Sequence, residues 1–224
     1  MSDEGGYTLV ELVVGMMISM VVLTAIFGMV KVATGNQDRT TERVFSNQRG
    51  RPVMNRIVDR LHSACVSPGL APVREGSTDT SMILYSKSGS AVSPTPDKYV
   101  ISLSGGAITE TDSVGSGSEP SKWTFGSPSS PVLLVNGVGT AAVGEPPAGA
   151  PLFRYFAYEG GQVAATPLPT PLNEEDAAKT VQVNIAFTVA PRAGAAAMVT
   201  LTDSATLRIE PASEDSAEVN LPCV

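Results

Sequence analysis

Histidine occurs once in this chain, at His62, and cysteine twice, at Cys65 and Cys223. A single histidine leaves a His-based zinc site or a Ser-His-Asp triad without its parts. Between Leu61 and Ser63, on the polar side of a helical pattern, His62 reads as a solvated surface residue rather than a ligand. The two cysteines are too few and too distant for a C-x-x-C metal or redox motif. They suit one structural disulfide if this part of the chain lies outside the cytoplasm, with two buried free thiols as the alternative. Aromatic residues make up 5%, so Val, Ala, Leu and Ile must build any core. Trp123 and the tyrosines Tyr85, Tyr99, Tyr155 and Tyr158 read as core or sheet residues rather than a ligand platform. A basic excess is lacking too: the net charge is −7 and the isoelectric point is near 4.7, which argues against nucleic acid as a partner. There is no Walker loop, dinucleotide fingerprint, nucleophile elbow or EF-hand loop. "NEED" (Asn173 to Asp176) reads as an exposed acidic loop rather than a calcium site. The chain therefore reads as a non-enzyme, with no cofactor or metal implied.

Charge and proline are both missing from Leu12 to Val30. As a helix this stretch measures about 28 Å, the thickness of a bilayer's hydrocarbon. It is apolar on all faces, which fits a span rather than a surface helix. No basic n-region precedes it and no A-x-A-like site follows closely, so it does not read as a cleaved secretory signal. Glu11 stands just inside its start. A carboxylate costs little if it sits at the membrane interface.

The stretch "GGYTLVE" resembles the type IV prepilin cleavage and methylation motif: a short hydrophilic leader ending in glycine, an aromatic residue, and a glutamate four positions later. The resemblance implies a leader "MSDEGG", cleavage by a prepilin peptidase between Gly6 and Tyr7, N-methylation of Tyr7, and an assembly and register role for Glu11. Tyr7 replaces the commoner Phe, and the leader carries Asp3 and Glu4 but no Lys or Arg. Basic residues lie on the other flank, at Lys31, Arg39 and Arg43. The positive-inside rule alone would put the body in the cytoplasm; the motif puts it outside, since long domains translocate largely regardless of charge. Cleavage would expose an amine at Tyr7 with a pKa of about 8, largely cationic at neutral pH. In an apolar filament centre an unpaired carboxylate is costly, so this amine is the natural partner for Glu11. The pairing can run between subunits or, at a spacing of four on one helix, within one chain.

Beyond the span, a weak point is expected at Gly35-Asn36. Then Met54, Ile57, Val58, Leu61 and Ala64 follow helical spacing, with Arg56, Asp59 and Arg60 on the other face. "RGRP" (Arg49 to Pro52) is expected to interrupt this helix, with Pro52 kinking or restarting it. Gly28 would loosen the helix on assembly or let helices pack closely in the membrane. After Cys65 the period becomes two. Lys98–Thr111 predicts two strands joined at Ser104-Gly105-Gly106, and Phe153–Ala165 a hairpin turning at Glu159-Gly160-Gly161. Thr180–Val189 predicts a strand with Val181, Val183, Ile185, Phe187 and Val189 on one face. "AMVTL" and "ATLRIE" predict a final pair around Asp203, and short strands fall at Met82–Tyr85 and Pro131–Val135. Asp112–Ser121, Gly144–Pro151 and Pro167–Asp176 read as exposed loops.

The layout is α+β and pilin-like: a long N-terminal helix, transmembrane then amphipathic, packed on an antiparallel β-sheet head. The expected divisions are a leader at 1–6, a membrane or filament-core helix at 7–34, the amphipathic half of the spine at 35–65 and a β-rich head at 66–224. "QRGRPVMNRIVDRLHSA", "LFRYFAYEGGQV" and "ATLRIE" further resemble PilW-like minor pilins and J-type pseudopilins. That resemblance implies a structural subunit of a type IV pilus or type II secretion-like filament. Its partners would be other pilins or pseudopilins, the prepilin peptidase, the inner-membrane assembly platform, and membrane lipid before assembly. Nucleic acid would enter only through a DNA-uptake pilus. The expected location is a single-pass inner-membrane protein with an extracytoplasmic head, reaching the periplasm or cell surface in the filament. The alternative is a single-pass membrane-anchored surface binding or adhesion module that is not assembled into a filament.

Overall fold

A single helix, α1 (Leu9–His62), takes up 54 residues and measures about 81 Å. The computed structural model describes residues 8–65, 71–86, 95–117, 123–140, 151–191 and 198–207. α1 runs unbroken through the weak point expected at Gly35-Asn36, and the restart expected at Pro52 is absent. A glycine costs about 1 kcal/mol relative to alanine, too little to end such a helix. Pro52 is exposed, while its neighbours Gly50, Val53 and Met54 are buried. Packing on the head thus holds the turn that loses a hydrogen bond. The expected stripe is present: Met54, Ile57 and Leu61 are buried, and Val58 and Ala64 are partly so. Val53 joins it, as do the small residues Ser46 and Gly50.

The head follows as β1 (Ser81–Ser86), β2 (Asp97–Ser104), β3 (Ala107–Ser113), β4 (Gly115–Ser116), β5 (Thr124–Phe125), β6 (Val132–Asn136), β7 (Val138–Thr140), β8 (Phe153–Glu159), β9 (Gln162–Val163), α2 (Glu174–Lys179), β10 (Thr180–Val189) and β11 (Val199–Thr206). One antiparallel sheet has the order β1-β2-β3-β6, the other β11-β10-β8-β9 with β7 also on β10; β4 and β5 form a small ribbon. Both expected Gly-Gly turns are present. Gly105 and Gly106 join β2 to β3, Gly160 and Gly161 join β8 to β9, and all four have positive φ, as a two-residue hairpin turn of this kind requires. Gly137 (φ +67°) lies between β6 in the first sheet and β7 in the second, so one stretch of chain ties the sheets together.

β10 alternates as expected, with Val181, Val183, Ile185, Phe187 and Val189 buried. The pair expected around Asp203 is instead one strand: β11 runs through Asp203, which lies opposite Ile185. Eight residues laddered to the long β10 leave no room for a turn there. "NEED" is not a loop either. Asn173 caps α2, its side chain accepting from the Asp176 N–H at 2.8 Å, and Glu174–Asp176 form the first turn, where acids favour the helix dipole. The loop expected over Asp112–Ser121 gives way at its start to the end of β3 and to β4. Tyr99 and Tyr155 are core residues, but Tyr158 is 60% exposed at the β8–β9 turn. Tyr85 packs on Phe125 at 4.5 Å between ring centres and edge-on to Trp123. The core joins both sheets to the second half of α1 around Ile57, Met82, Leu84, Ile101, Tyr155 and Phe187.

Candidate assembly site

Two parts of α1 bear on function: the uncovered stretch from Leu9 to Val30, and the joint where the helix meets the head. In the first part Leu9, Met20, Phe27 and Met29 are each more than 70% exposed. None of the described residues covers this stretch, and it is the one helix among them that is long and apolar enough to cross a membrane. Its hydroxyls need no outside partner. Ser19 donates to the Gly15 carbonyl at 2.8 Å and Thr24 to the Met20 carbonyl at 2.8 Å. Such self-satisfied polar groups suit a hydrocarbon surrounding.

Glu11 lies in the first turn of α1 and is exposed. Thr8, with extended backbone (φ −75°, ψ 150°), is the N-cap, and its hydroxyl accepts from the Glu11 N–H at 3.3 Å. A glutamate three residues after a threonine cap matches the capping-box spacing, and the helix dipole favours an acid there. Glu11 therefore has a local role at the helix start in addition to any role between subunits. The Thr8 cap is legible in the sequence as T-x-x-E before an apolar run. Gly6 and Tyr7, the expected cleavage and methylation positions, lie outside the described residues, as does Cys223.

At the joint, Gly50 explains "RGRP" better than a helix break does. A Cβ added there would lie 2.1 Å from Leu201 Cδ1 and 2.9 Å from Val189 Cγ2. Only glycine lets α1 come this close to β10 and β11. Nearby, Arg49 donates to the Asn136 carbonyl at 2.9 Å and also bonds the Asn136 side chain. About two turns further on, Glu110 of β3 points from the sheet at α1. Arg56 Nη2 donates to its Oε1 at 2.8 Å, Arg56 Nε to its Oε2 at 3.0 Å, and Arg60 Nη2 to Oε1 at 3.2 Å. The Arg60 guanidinium also lies 3.9 Å from the centre of the Tyr99 ring. The Glu110 side chain is 5% exposed. Burial pushes its carboxyl up, but the hydrogen bonds from Arg56 and Arg60 pull harder and hold it below its ordinary value. Arg56 and Arg60 are thus not a plain solvated face: they clamp the spine to the head. Glu110 was legible in principle, since Ile108 and Glu110 share the inward face of β3 and an inward carboxylate demands a cation.

Beside this clamp, a groove of about 730 Å³ runs along α1 from Pro52 to Ser63, with Val132–Leu134 as its other wall. No group of three or more metal-ligating side chains occurs among the described residues, and His62 is exposed. Cys65 is fully buried; its N–H donates to the Tyr85 carbonyl at 2.7 Å.

Residues 1–27 match the family model of the prokaryotic N-terminal methylation motif. The match spans the start of the chain, Thr8, Glu11 and most of the uncovered apolar stretch, and it ends before the head. No curated protein and no solved structure matches the chain. The matched motif is of the kind carried by type IV pilin-like substrates of prepilin peptidase. Motif and apolar helix together are consistent with a single-pass, membrane-anchored pilin-like protein.

Proposed function

We propose that this chain is a minor pilin or pseudopilin, a structural subunit of a type IV pilus or type II secretion-like filament. The observation that carries the reading is the coincidence of the methylation motif at residues 1–27 with a helix whose apolar first half none of the described residues covers. A prepilin peptidase cuts between Gly6 and Tyr7, and the new Tyr7 amine is methylated. The subunit waits in the inner membrane with its head outside, then leaves lipid for a filament core built from such helices. In that core an unpaired Glu11 would be costly, and the cationic amine four positions away, on this chain or a neighbour, neutralises it. The buried Cys65 bonds Cys223: no free cysteine stands among the described residues, and Cys223 is the chain's one other cysteine. The reading is supported further by the clamp and close seat at the joint, which transmit the position of the spine to the head.

The test is Glu11→Ala in the native host. Cleavage persists, because the cut lies upstream, while the variant's share in sheared filaments falls several-fold against wild type. Undiminished incorporation would refute the pairing. A full-length protein that keeps its leader and still displays its head would favour an anchored binding module.

A further inference from the structure

The second sheet carries a cavity of about 390 Å³ that the assembly site does not use. The strand registers build it. Val183, Ile185 and Phe187 of β10 face the core, so Asn184 and Ala186 face the other way. Arg154 on β8 lies opposite Asn184, and Asn184 opposite Ser204 on β11. One step along, Ala186 lies opposite Thr202, and its N–H donates to the Leu152 carbonyl at 3.0 Å, which draws Pro151 alongside. The small Ala186 thus forms a floor between Pro151 and Arg154 on one side and Thr202 and Ser204 on the other. The two walls stand about 10 Å apart across three strands.

Arg154 is partly buried, and its side chain makes no ion pair or hydrogen bond among the described residues. The arginines at the joint differ, since Arg49 bonds Asn136 and Arg56 and Arg60 bond Glu110. The Asn184 side-chain oxygen accepts from Gln182 Nε2 at 2.6 Å, which leaves its NH2 group to donate. The hydroxyls of the exposed Thr202 and Ser204 can each donate and accept. Asp203 also borders the cavity, but it shares the strand face of Leu201 and Ala205, and its carboxylate accepts from the Ser204 N–H at 2.8 Å. A lone guanidinium is the complement of a single carboxylate, which it can take in a bidentate pair. An amide and two hydroxyls beside it are the complement of neighbouring hydroxyl groups. Among the described residues no second Lys or Arg lines the cavity, as an anion of higher charge would demand. We propose that this cavity binds a uronic acid, a sugar with one carboxylate. Arg154 holds the carboxylate, and Asn184, Thr202 and Ser204 hold the ring hydroxyls. The volume lies within the range of small-molecule sites, which begins near about 300 Å³. None of these side chains belongs to α1, so the site serves the membrane-held and the assembled subunit alike.

Titration of the full-length protein in detergent micelles with glucuronate, glucose and acetate, followed by calorimetry, tests this. Glucuronate should bind, and glucose and acetate should each bind far more weakly. Arg154→Gln should weaken glucuronate by about tenfold or more with the head's thermal midpoint unchanged. Thr202→Val, which keeps the side chain's shape, should weaken glucuronate several-fold and leave acetate unaltered. Glucose binding as tightly as glucuronate would overturn the role of the carboxylate, and acetate binding as tightly would overturn the sugar. Failure of glucuronate to bind, or undiminished binding by Arg154→Gln, would overturn the site itself.

Discussion

The two halves of α1 are one continuous helix in opposite circumstances. From Leu9 to Val30 every residue is exposed, the surface is apolar on all sides, and hydroxyls bond back to the helix's own carbonyls. From Ser46 to His62 one stripe is buried, a glycine admits two strands at close range, and two arginines reach a carboxylate on the sheet. The first half has the surface of a buried helix, and none of the described residues covers it. The second half is finished within the chain. In the proposed function a membrane, and afterwards a bundle of similar helices, would supply the missing surroundings without disturbing the head.

Matched truncations break or sharpen that contrast most strongly. Ile57→Ala removes a fully buried side chain and should cost the head about 2–5 kcal/mol, whereas Leu23→Ala should leave the head's thermal midpoint unmoved; calorimetry of both variants decides it, and equal losses would contradict the division. Next comes the clamp. Glu110→Gln should cost roughly 1.5–3 kcal/mol by weakening charge-assisted hydrogen bonds. Because the folded carboxyl titrates below its ordinary value, the stability it adds is fully present above about pH 4.3. It fades as pH falls through the lower folded value, and denaturant midpoints of the variant should lack that acid slope. Gly50→Ala is smaller, about 1–3 kcal/mol, because Leu201 and Val189 must shift to admit the methyl group; a midpoint equal to wild type would show that the close seat is not tight. The smallest effect belongs to Thr8→Ala. Loss of the cap should cost about 1 kcal/mol locally, seen as faster hydrogen exchange at Glu11 and Leu12 with the head unaffected.

The contrast also explains what could be read from the sequence. The apolar half needs no tertiary knowledge: its length, absence of charge and motif are local. The Gly-Gly hairpins and the alternation of β10 are local as well, and both were legible. The joint was not, because its meaning lies in residues distant in sequence. "RGRP" looks like a helix breaker until Leu201 and Val189 show why residue 50 must lack a side chain. Arg56 and Arg60 look solvated until Glu110 appears opposite them. β11 looked like two strands because Asp203 reads as a turn residue; its ladder with β10 overrides that preference. α2 is only six residues long, too short for a periodic signal, although Asn173 followed by three acids is a capping signature.

The account stands on the claim that the uncovered half of α1 begins at a trimmed, cationic end that neutralises Glu11. Intact mass of the protein purified from its native membrane or filament tests this most directly. The expected mass lacks Met1–Gly6 and carries one added methyl group on Tyr7. A chain that retains the leader in assembled material would contradict the account.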